Sequence, residues 1–259
     1  MTVLMAYNSI SRWSGALSVC ALVAIIRPAH ADPRAVVELF TSQGCSSCPP
    51  ADKIIGELAR DPGVIALSMP IDYWDYLGWK DTLADSRFSA RQKAYSAARG
   101  DRNVYTPQVI VNGSAQVIGS DRARIDGAIG DTAKAHGVMS VPVSIALAGK
   151  QVTVSVAAST KDPAASPGAA SLGEVWICSV TREVPILIGR GENRGQKVTY
   201  HNVVRNLLKV GDWNGSAGSW TVPLENISRE GIDATVVFVQ AGSREKPGAM
   251  LGAAYKSLH

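Results

Sequence analysis

The segment Phe40–Asp52, FTSQGCSSCPPAD, places Cys45 and Cys48 three positions apart. The residues before it are apolar and the residues after it have a helical pattern, so the cysteine pair lies at a junction between two elements. Such a pair can be a redox dithiol, half of a metal site, or a staple that closes a loop. The cell compartment and the surrounding fold decide among these three interpretations.

The segments around this junction predict a strand, a helix and a second strand. Residues 35–40 (AVVELF) form a short apolar run, residues 51–60 carry apolar side chains at helical spacing, and residues 64–69 (VIALSM) form a second apolar run. Asp61-Pro62-Gly63 ends the predicted helix. A strand–helix–strand unit of this length predicts that its two strands are parallel.

The first 31 residues are typical of a cleaved secretory signal. Arg12 precedes an apolar run of 12 residues, Gly15 to Ile26, and Ala29-His30-Ala31 is a small-x-small cleavage site. The apolar run is too short to span a bilayer. We therefore expect a mature chain of 228 residues, located in the periplasm or secreted.

The mature chain has little net charge and no apolar run long enough to cross a membrane. Its 24 basic and 22 acidic residues give +2, and no polybasic run is present, so neither nucleic acid nor an integral membrane location is indicated. Three cysteines remain after cleavage. Cys45 and Cys48 form the close pair, and the alternating pattern around Cys178 predicts a buried, inert thiol.

The rest of the chain changes character at about residue 138. Before it, residues 81–99 favour a helix, Asn112-Gly113 between apolar runs predicts a hairpin, and Ser120-Asp121 begins a further helix. After it, at least six short strands are separated by Gly, Pro, Asn and Ser, which predicts an antiparallel, sandwich-like all-β domain over residues 138–259.

The position of the dithiol at a helix start favours a reactive thiolate. Unpaired backbone N–H groups and the helix dipole stabilise the negative charge there, which favours Cys45 as the nucleophile. Cys48 lies about one turn further along and can close a disulfide with Cys45. Pro49-Pro50 suit the first helical turn.

Residues 37–60, together with Thr106-Pro107 and the hairpin after them, resemble the thioredoxin fold. The resemblance implies that Pro107 is the cis-proline facing the dithiol and that Thr106 offers backbone groups to a substrate chain. An ordinary trans proline at a strand start is the alternative. The chain departs from thioredoxin in its Ser-Ser dipeptide, in Gly44, and in an extra helical segment over about residues 73–102.

Five further motifs resemble a family of secreted bacterial proteins known only as a domain of unknown function, DUF1223. They are GCSSCPPAD, IDYWDYLGWKD, FSARQKAY, VYTPQVIVNG and GRGENRG. The resemblance implies an α/β thioredoxin-like domain over residues 32–137, followed by the β-rich domain, and it supplies no substrate.

Three acidic or aromatic residues are candidates for a place beside the dithiol. Parallel strands bring their carboxyl ends to one edge, so the second strand delivers Asp72 and Trp74 to the edge where the dithiol lies. The alternative is that the aromatic residues of this segment only pack the insertion onto the domain. Glu38 is the nearest match to the buried acid of thioredoxin, but its one-residue offset turns it to the other face.

We expect a thiol–disulfide oxidoreductase that acts on a protein thiol or disulfide partner, without a cofactor. Cys45, Cys48 and Pro107 would be catalytic, and Thr106, Asp72 and Trp74 would bind the substrate. The alternatives are a binding module with a structural Cys45–Cys48 disulfide and a copper(I) carrier that uses the two thiolates. The histidines have no metal-ligand spacing, so no zinc site is predicted.

Overall fold

The computed structural model of the protein describes residues 32–159 and 173–258, so the predicted signal segment lies outside the described residues. The described residues form three α-helices, 11 strands and two short 3₁₀ helices. In chain order these elements are β1 (Ala35–Thr41), α1 (Pro49–Leu58), β2 (Val64–Pro70), a 3₁₀ helix (Asp75–Leu77), α2 (Ser86–Arg99), β3 (Gln108–Val111), β4 (Ala115–Ile118), α3 (Arg122–Ala133), β5 (Val143–Ala148), β6 (Gln151–Val156), β7 (Gly173–Leu187), β8 (Lys197–Trp213), β9 (Gly218–Pro223), a 3₁₀ helix (Leu224–Asn226), β10 (Ala234–Ser243) and β11 (Lys246–Ser257).

The first half of the chain follows the local sequence signals. β1 pairs in parallel with β2 and antiparallel with β3, and β3 pairs with β4. The predicted hairpin is confirmed: Asn112 and Gly113 turn the chain with positive φ angles of 48° and 68°. Asp85 and Asp121 accept backbone hydrogen bonds at the starts of α2 and α3, which fixes where those helices begin.

The second half of the chain extends the same sheet. The strand order is β11-β10-β7-β8-β2-β1-β3-β4, and β5, β6 and β9 form a separate antiparallel sheet. β8 meets β2 in parallel at Ser68 and Val203, and the Asn202 amide supports this junction by donating to the Ala66 carbonyl at 2.9 Å. The protein is therefore a mixed α/β structure with one large mixed sheet and one small antiparallel sheet. The sequence predicts that the strands after residue 138 form a separate sandwich. Four of them, β7, β8, β10 and β11, instead join the large sheet. The domain division at residue 138 stays a prediction.

The large sheet curls around α2. The Met250 N–H of β11 donates to the carbonyl of Asn112, the residue after β3, at 2.9 Å, although β11 and β3 lie near opposite ends of the strand order. Phe88 and Tyr95 of α2 pack in one core with apolar side chains from β1, β2, β3, β7, β10 and β11. α1 and α3 cover the outer face beside β1, and the small sheet covers the outer face of β7 and β10. The helical segment expected between residues 73 and 102 thus contains a core helix.

Candidate functional site

Cys45 and Cys48 form a disulfide in the connection between β1 and α1. Pro49-Pro50 occupy the first turn of α1, as the sequence predicts. Cys48 is the N-cap of this helix and Cys45 lies three residues before it, so Cys48, expected one turn inside the helix, stands at its start. Ser46-Ser47 are exposed, whereas Cys45 retains 3% of its surface and Cys48 none. The sulfur pair therefore lies just below a surface made by the two serines.

Trp74 joins the dithiol loop to the predicted substrate-binding threonine. Its indole N–H donates to the Thr106 hydroxyl at 2.8 Å. Its Cβ lies 3.2 Å from where a Cβ on Gly44 would be, so only a small residue fits before Cys45 at this approach. The structure therefore brings Trp74, Thr106 and the dithiol loop together.

Pro107 lies beside the first turn of the helix that follows the dithiol. The Thr106–Pro107 peptide bond is cis. A Cβ built on Gly119 would lie 3.0 Å from the Pro107 Cβ and 3.1 Å from the Cβ of Ala51, so the proline and α1 approach the same glycine. Pro107 and the residue three positions after Cys48 are thus close neighbours.

The Asp72 carboxylate is bonded to α2. It accepts a hydrogen bond from the Ser89 hydroxyl at 2.5 Å, and the Ser89 oxygen accepts from the Asp72 N–H at 3.2 Å. Asp72 therefore anchors the start of α2 at the carboxyl edge of β2, and the contacts of its side chain are with that helix.

The glycine-rich loop between β7 and β8 holds the dithiol loop from the other side. The Asn193 amide nitrogen donates to the Gln43 carbonyl at 3.0 Å and to the Cys45 carbonyl at 2.8 Å, and Asn193 is buried. Trp79 packs against Gly189 of the same loop and donates its indole N–H to the Gln43 amide oxygen at 2.8 Å. The loop and the insertion together fix the backbone that precedes the disulfide.

Asp52 is a buried acid one helical turn after Cys48. Its N–H donates to the Cys48 carbonyl at 3.0 Å, and its Oδ1 accepts from the Thr41 hydroxyl at 2.8 Å. Its Oδ2 has no hydrogen-bond partner among the described residues. Burial raises the pKa of Asp52 to about 8 against the opposing Thr41 hydrogen bond, and the charge of Asp81 raises it further. The group is therefore a buried proton donor and acceptor near neutral pH.

Asp81 is a second buried acid in the same region. Its carboxylate accepts from the backbone N–H groups of Gln43 and Leu83, each at 2.8 Å. Burial raises the pKa of Asp81 above its usual value, and these backbone hydrogen bonds oppose that effect. Its carboxylate organises the backbone just before the dithiol.

Glu38 lies on the opposite face of β1, as its offset predicts. Its carboxylate accepts from Arg91 at 2.7 Å and from the Tyr95 hydroxyl at 2.5 Å, and Arg91 also donates to the Gln240 amide oxygen at 2.9 Å. This network is buried in the core around α2. Cys178 is buried in the same core, and burial raises the pKa of its thiol far above the usual range. The arrangement agrees with an inert thiol.

Sequence reasoning missed Asp52 and Asn193. Asp52 lies three residues before Ile55 and four before Gly56, on the buried face of α1, and this spacing was a usable signal. Asn193 had no local signal, because its partners are about 150 residues earlier in the chain. The loop that contains Asn193, GRGENRG, was noticed only as one of the five motifs that resemble the family.

Among the described residues, no group of three or more His, Cys, Asp or Glu side chains is arranged to hold a metal ion. Met69, which could serve as an additional copper ligand, packs in the core around α2. No helix of the described part of the chain is long and apolar enough to cross a membrane.

The fold and the site together define a mixed α/β protein with a C-x-x-C disulfide at a helix start. Residues 36–240 match the model of the family described as "Protein of unknown function (DUF1223)". The chain belongs to this family, which confirms the assignment made from the five motifs.

Two other proteins are similar to this chain. The crystal structure of protein AGR_C_4864 from Agrobacterium tumefaciens superimposes with a TM-score of 0.76 at 33% identity, over 88% of this chain and 95% of that one. A "Probable Thioredoxin" from Archaeoglobus fulgidus is 38% identical over 37 residues, which are 14% of this chain. The match covers 41% of that relative's length.

Proposed function

We propose that this protein is a periplasmic or secreted thiol–disulfide oxidoreductase with a thioredoxin-like first half. The observation that carries the proposal is the Cys45–Cys48 disulfide at the start of α1, next to Trp74 and the cis Thr106–Pro107 bond. The strand order β2-β1-β3-β4, with α1 and α3 on one face and α2 on the other, also supports a thioredoxin-like arrangement. So does the local similarity to the Archaeoglobus protein.

The exchange has two steps, and in each of them one S–S bond forms while another breaks. In the reductase direction the Cys45 thiolate attacks a substrate disulfide, so that a mixed disulfide forms and one substrate sulfur leaves as a thiolate. The Cys48 thiolate then attacks Cys45, which closes the Cys45–Cys48 disulfide and releases the second substrate thiolate. Two electrons pass to the substrate, and the two leaving thiolates take up protons. The reverse sequence oxidises a substrate dithiol.

Asp52 would accept the proton of the Cys48 thiol in the second step. A thiol loses its proton near pH 8.5 in the absence of perturbation, and the pKa of Asp52 is raised to about 8. A carboxyl group whose pKa lies near the working pH can both take up and release a proton, which is the condition for efficient acid–base assistance. The free Oδ2 and the one-turn separation from Cys48 support this role.

Thr106 and Pro107 would hold the backbone of the partner, and Trp74 would set the position of Thr106 through its indole hydrogen bond. Asp72 would act indirectly, since its carboxylate is bonded to Ser89 of α2. The loop that carries Asn193 would keep the Cys45 carbonyl in place while the sulfur atoms exchange partners.

A second candidate is a binding module with a permanently oxidised disulfide. The observation that favours it is the burial of both cysteines, with 3% of Cys45 and none of Cys48 exposed. A structural disulfide has a reduction potential below about −300 mV, whereas exchange proteins lie between about −270 and −120 mV.

A redox titration distinguishes the two candidates. The protein is equilibrated in dithiol–disulfide buffers of graded potential, and the Cys45–Cys48 state is read by alkylation and mass spectrometry. A Cys178→Ser variant controls for the third thiol. We expect a midpoint within the exchanger range, and a midpoint below about −300 mV would contradict the proposal.

A further inference from the structure

A polar cavity of about 230 Å³ lies beside the start of α2. It is bounded by α2, β7, β8 and the segment after the second 3₁₀ helix. Its polar lining includes Arg87, Arg205, Asn206, Asn226 and Arg229. None of the residues assigned above to the dithiol site lines this cavity.

The cavity wall carries uncompensated positive charge. Arg87 is neutralised by Asp85, because its Nε and Nη2 donate to the two carboxylate oxygens at 2.9 and 2.6 Å. Arg205 and Arg229 are exposed, and no carboxylate of the described residues forms an ion pair with either one. Two guanidinium groups are therefore available to a ligand in this cavity.

The amide of Asn206 is oriented so that it adds donors to the same wall. Its Oδ1 accepts from the Arg87 Nη1 at 2.8 Å and from the Leu207 N–H at 3.0 Å. Both acceptor positions of this oxygen are therefore occupied, whereas no described residue accepts a hydrogen bond from the Asn206 Nδ2. The paired Arg87 acts here as a positioning group, since it fixes which side of the amide is free.

Guanidinium forks bind the oxygens of phosphate and carboxylate groups in a bidentate manner. The free groups of this wall are donors and cations, and Asp85, the nearby carboxylate, is occupied by Arg87. We propose that the cavity is a binding site for a small oxyanion, a phosphate or carboxylate group, held by Arg205, Arg229 and the Asn206 amide. The site is separate from the dithiol and does not depend on its activity.

Calorimetric titration of the full mature protein tests this site, with inorganic phosphate and with citrate at matched ionic strength. The two arms separate phosphate from carboxylate recognition. We expect saturable binding of at least one anion with one site per chain. The double variant Arg205→Gln/Arg229→Gln should bind at least about tenfold more weakly, because each charge-assisted hydrogen bond contributes roughly a factor of ten or more.

The matched control is Arg60→Gln, which removes an exposed arginine outside the cavity that likewise forms no ion pair with a described residue. Its affinity should equal that of the unmodified protein. Circular dichroism verifies that each variant is folded, and the dithiol midpoint should be the same in all three proteins. Absence of saturable binding of both anions, or equal affinities in the double variant and the control, would overturn the assignment.

Discussion

Replacing Asp52 by Asn removes a buried titrating group while keeping the shape of the side chain. The asparagine oxygen can still accept the Thr41 hydrogen bond that Oδ1 accepts at 2.8 Å. The aspartate pKa is about 8 in the folded protein, against 3.8 for an aspartate side chain free in water. The folded protein therefore retains a proton that the unfolded chain has already released between these pH values.

The sign and size of the effect follow from this difference. Because the folded state binds the extra proton, the free energy of unfolding of the unmodified protein falls as the pH rises from about 4 to about 8. One pKa unit corresponds to about 1.4 kcal/mol, so the loss is roughly 4 kcal/mol by pH 7. The Asp52→Asn protein lacks this contribution, and its stability relative to the unmodified protein should rise by about 1.4 kcal/mol per pH unit in this window.

Urea unfolding of the oxidised proteins at pH 5, 6, 7 and 8 measures the difference. Asp81 is present in both proteins, so the comparison removes the part of its titration that does not depend on Asp52. The exposed Asp131→Asn variant controls for the substitution itself. A relative stability that changes by less than about 0.5 kcal/mol per pH unit would refute the raised pKa of the buried Asp52 on which its proton-transfer role depends.

Three further predictions concern the surroundings of the site. Asn193→Ala should lower the free energy of unfolding by about 1–3 kcal/mol and speed reduction of the disulfide, because the Cys45 carbonyl loses its hydrogen-bond donor. Unchanged reduction kinetics would contradict the inference that Asn193 holds the dithiol loop in place. Glu38→Ala should cost about 3–5 kcal/mol in urea unfolding, because the Arg91 charge is left buried and unpaired, and a loss below about 1 kcal/mol would contradict that reasoning. Cys178 should resist alkylation in the native protein and react once it unfolds; rapid native labelling would show that it is accessible.

Local signals were sufficient for the first half of the fold. The strand–helix–strand unit, the hairpin at Asn112-Gly113 and the helix capped by Asp121 each depend on residues that are close in sequence, so the pattern alone predicts them. The cysteine pair at the start of α1 belongs to the same group.

The junction between the two halves could not be predicted in this way. β8 meets β2 at one backbone position and through side chains such as Asn202, whose carbonyl partner Ala66 is 136 residues away. The alternation of the late strands is compatible with a separate sandwich and with an extension of the large sheet, because both place one apolar face against a core. Nothing local distinguishes the two.

Only part of the chemistry of the site could be predicted from the sequence. Asp52 stands in the first turn of a helix, where an acidic residue usually interacts with the helix dipole at the surface. Its burial results from the packing of α1 against β1, β2 and β8, and the contact with β8 is distant in sequence. The Asn193 contact with Cys45 is of the same kind.

Trapping with a Cys48→Ser variant tests the central claim most directly. Without its resolving thiol, Cys45 should remain linked to partner proteins as mixed disulfides when the variant is produced in the periplasm, and mass spectrometry should identify the linkage at Cys45. The double variant Cys45→Ser/Cys48→Ser should give none of these adducts. Absence of Cys45-linked partners from the single variant, or the same adducts in the double variant, would contradict thiol–disulfide exchange at this site.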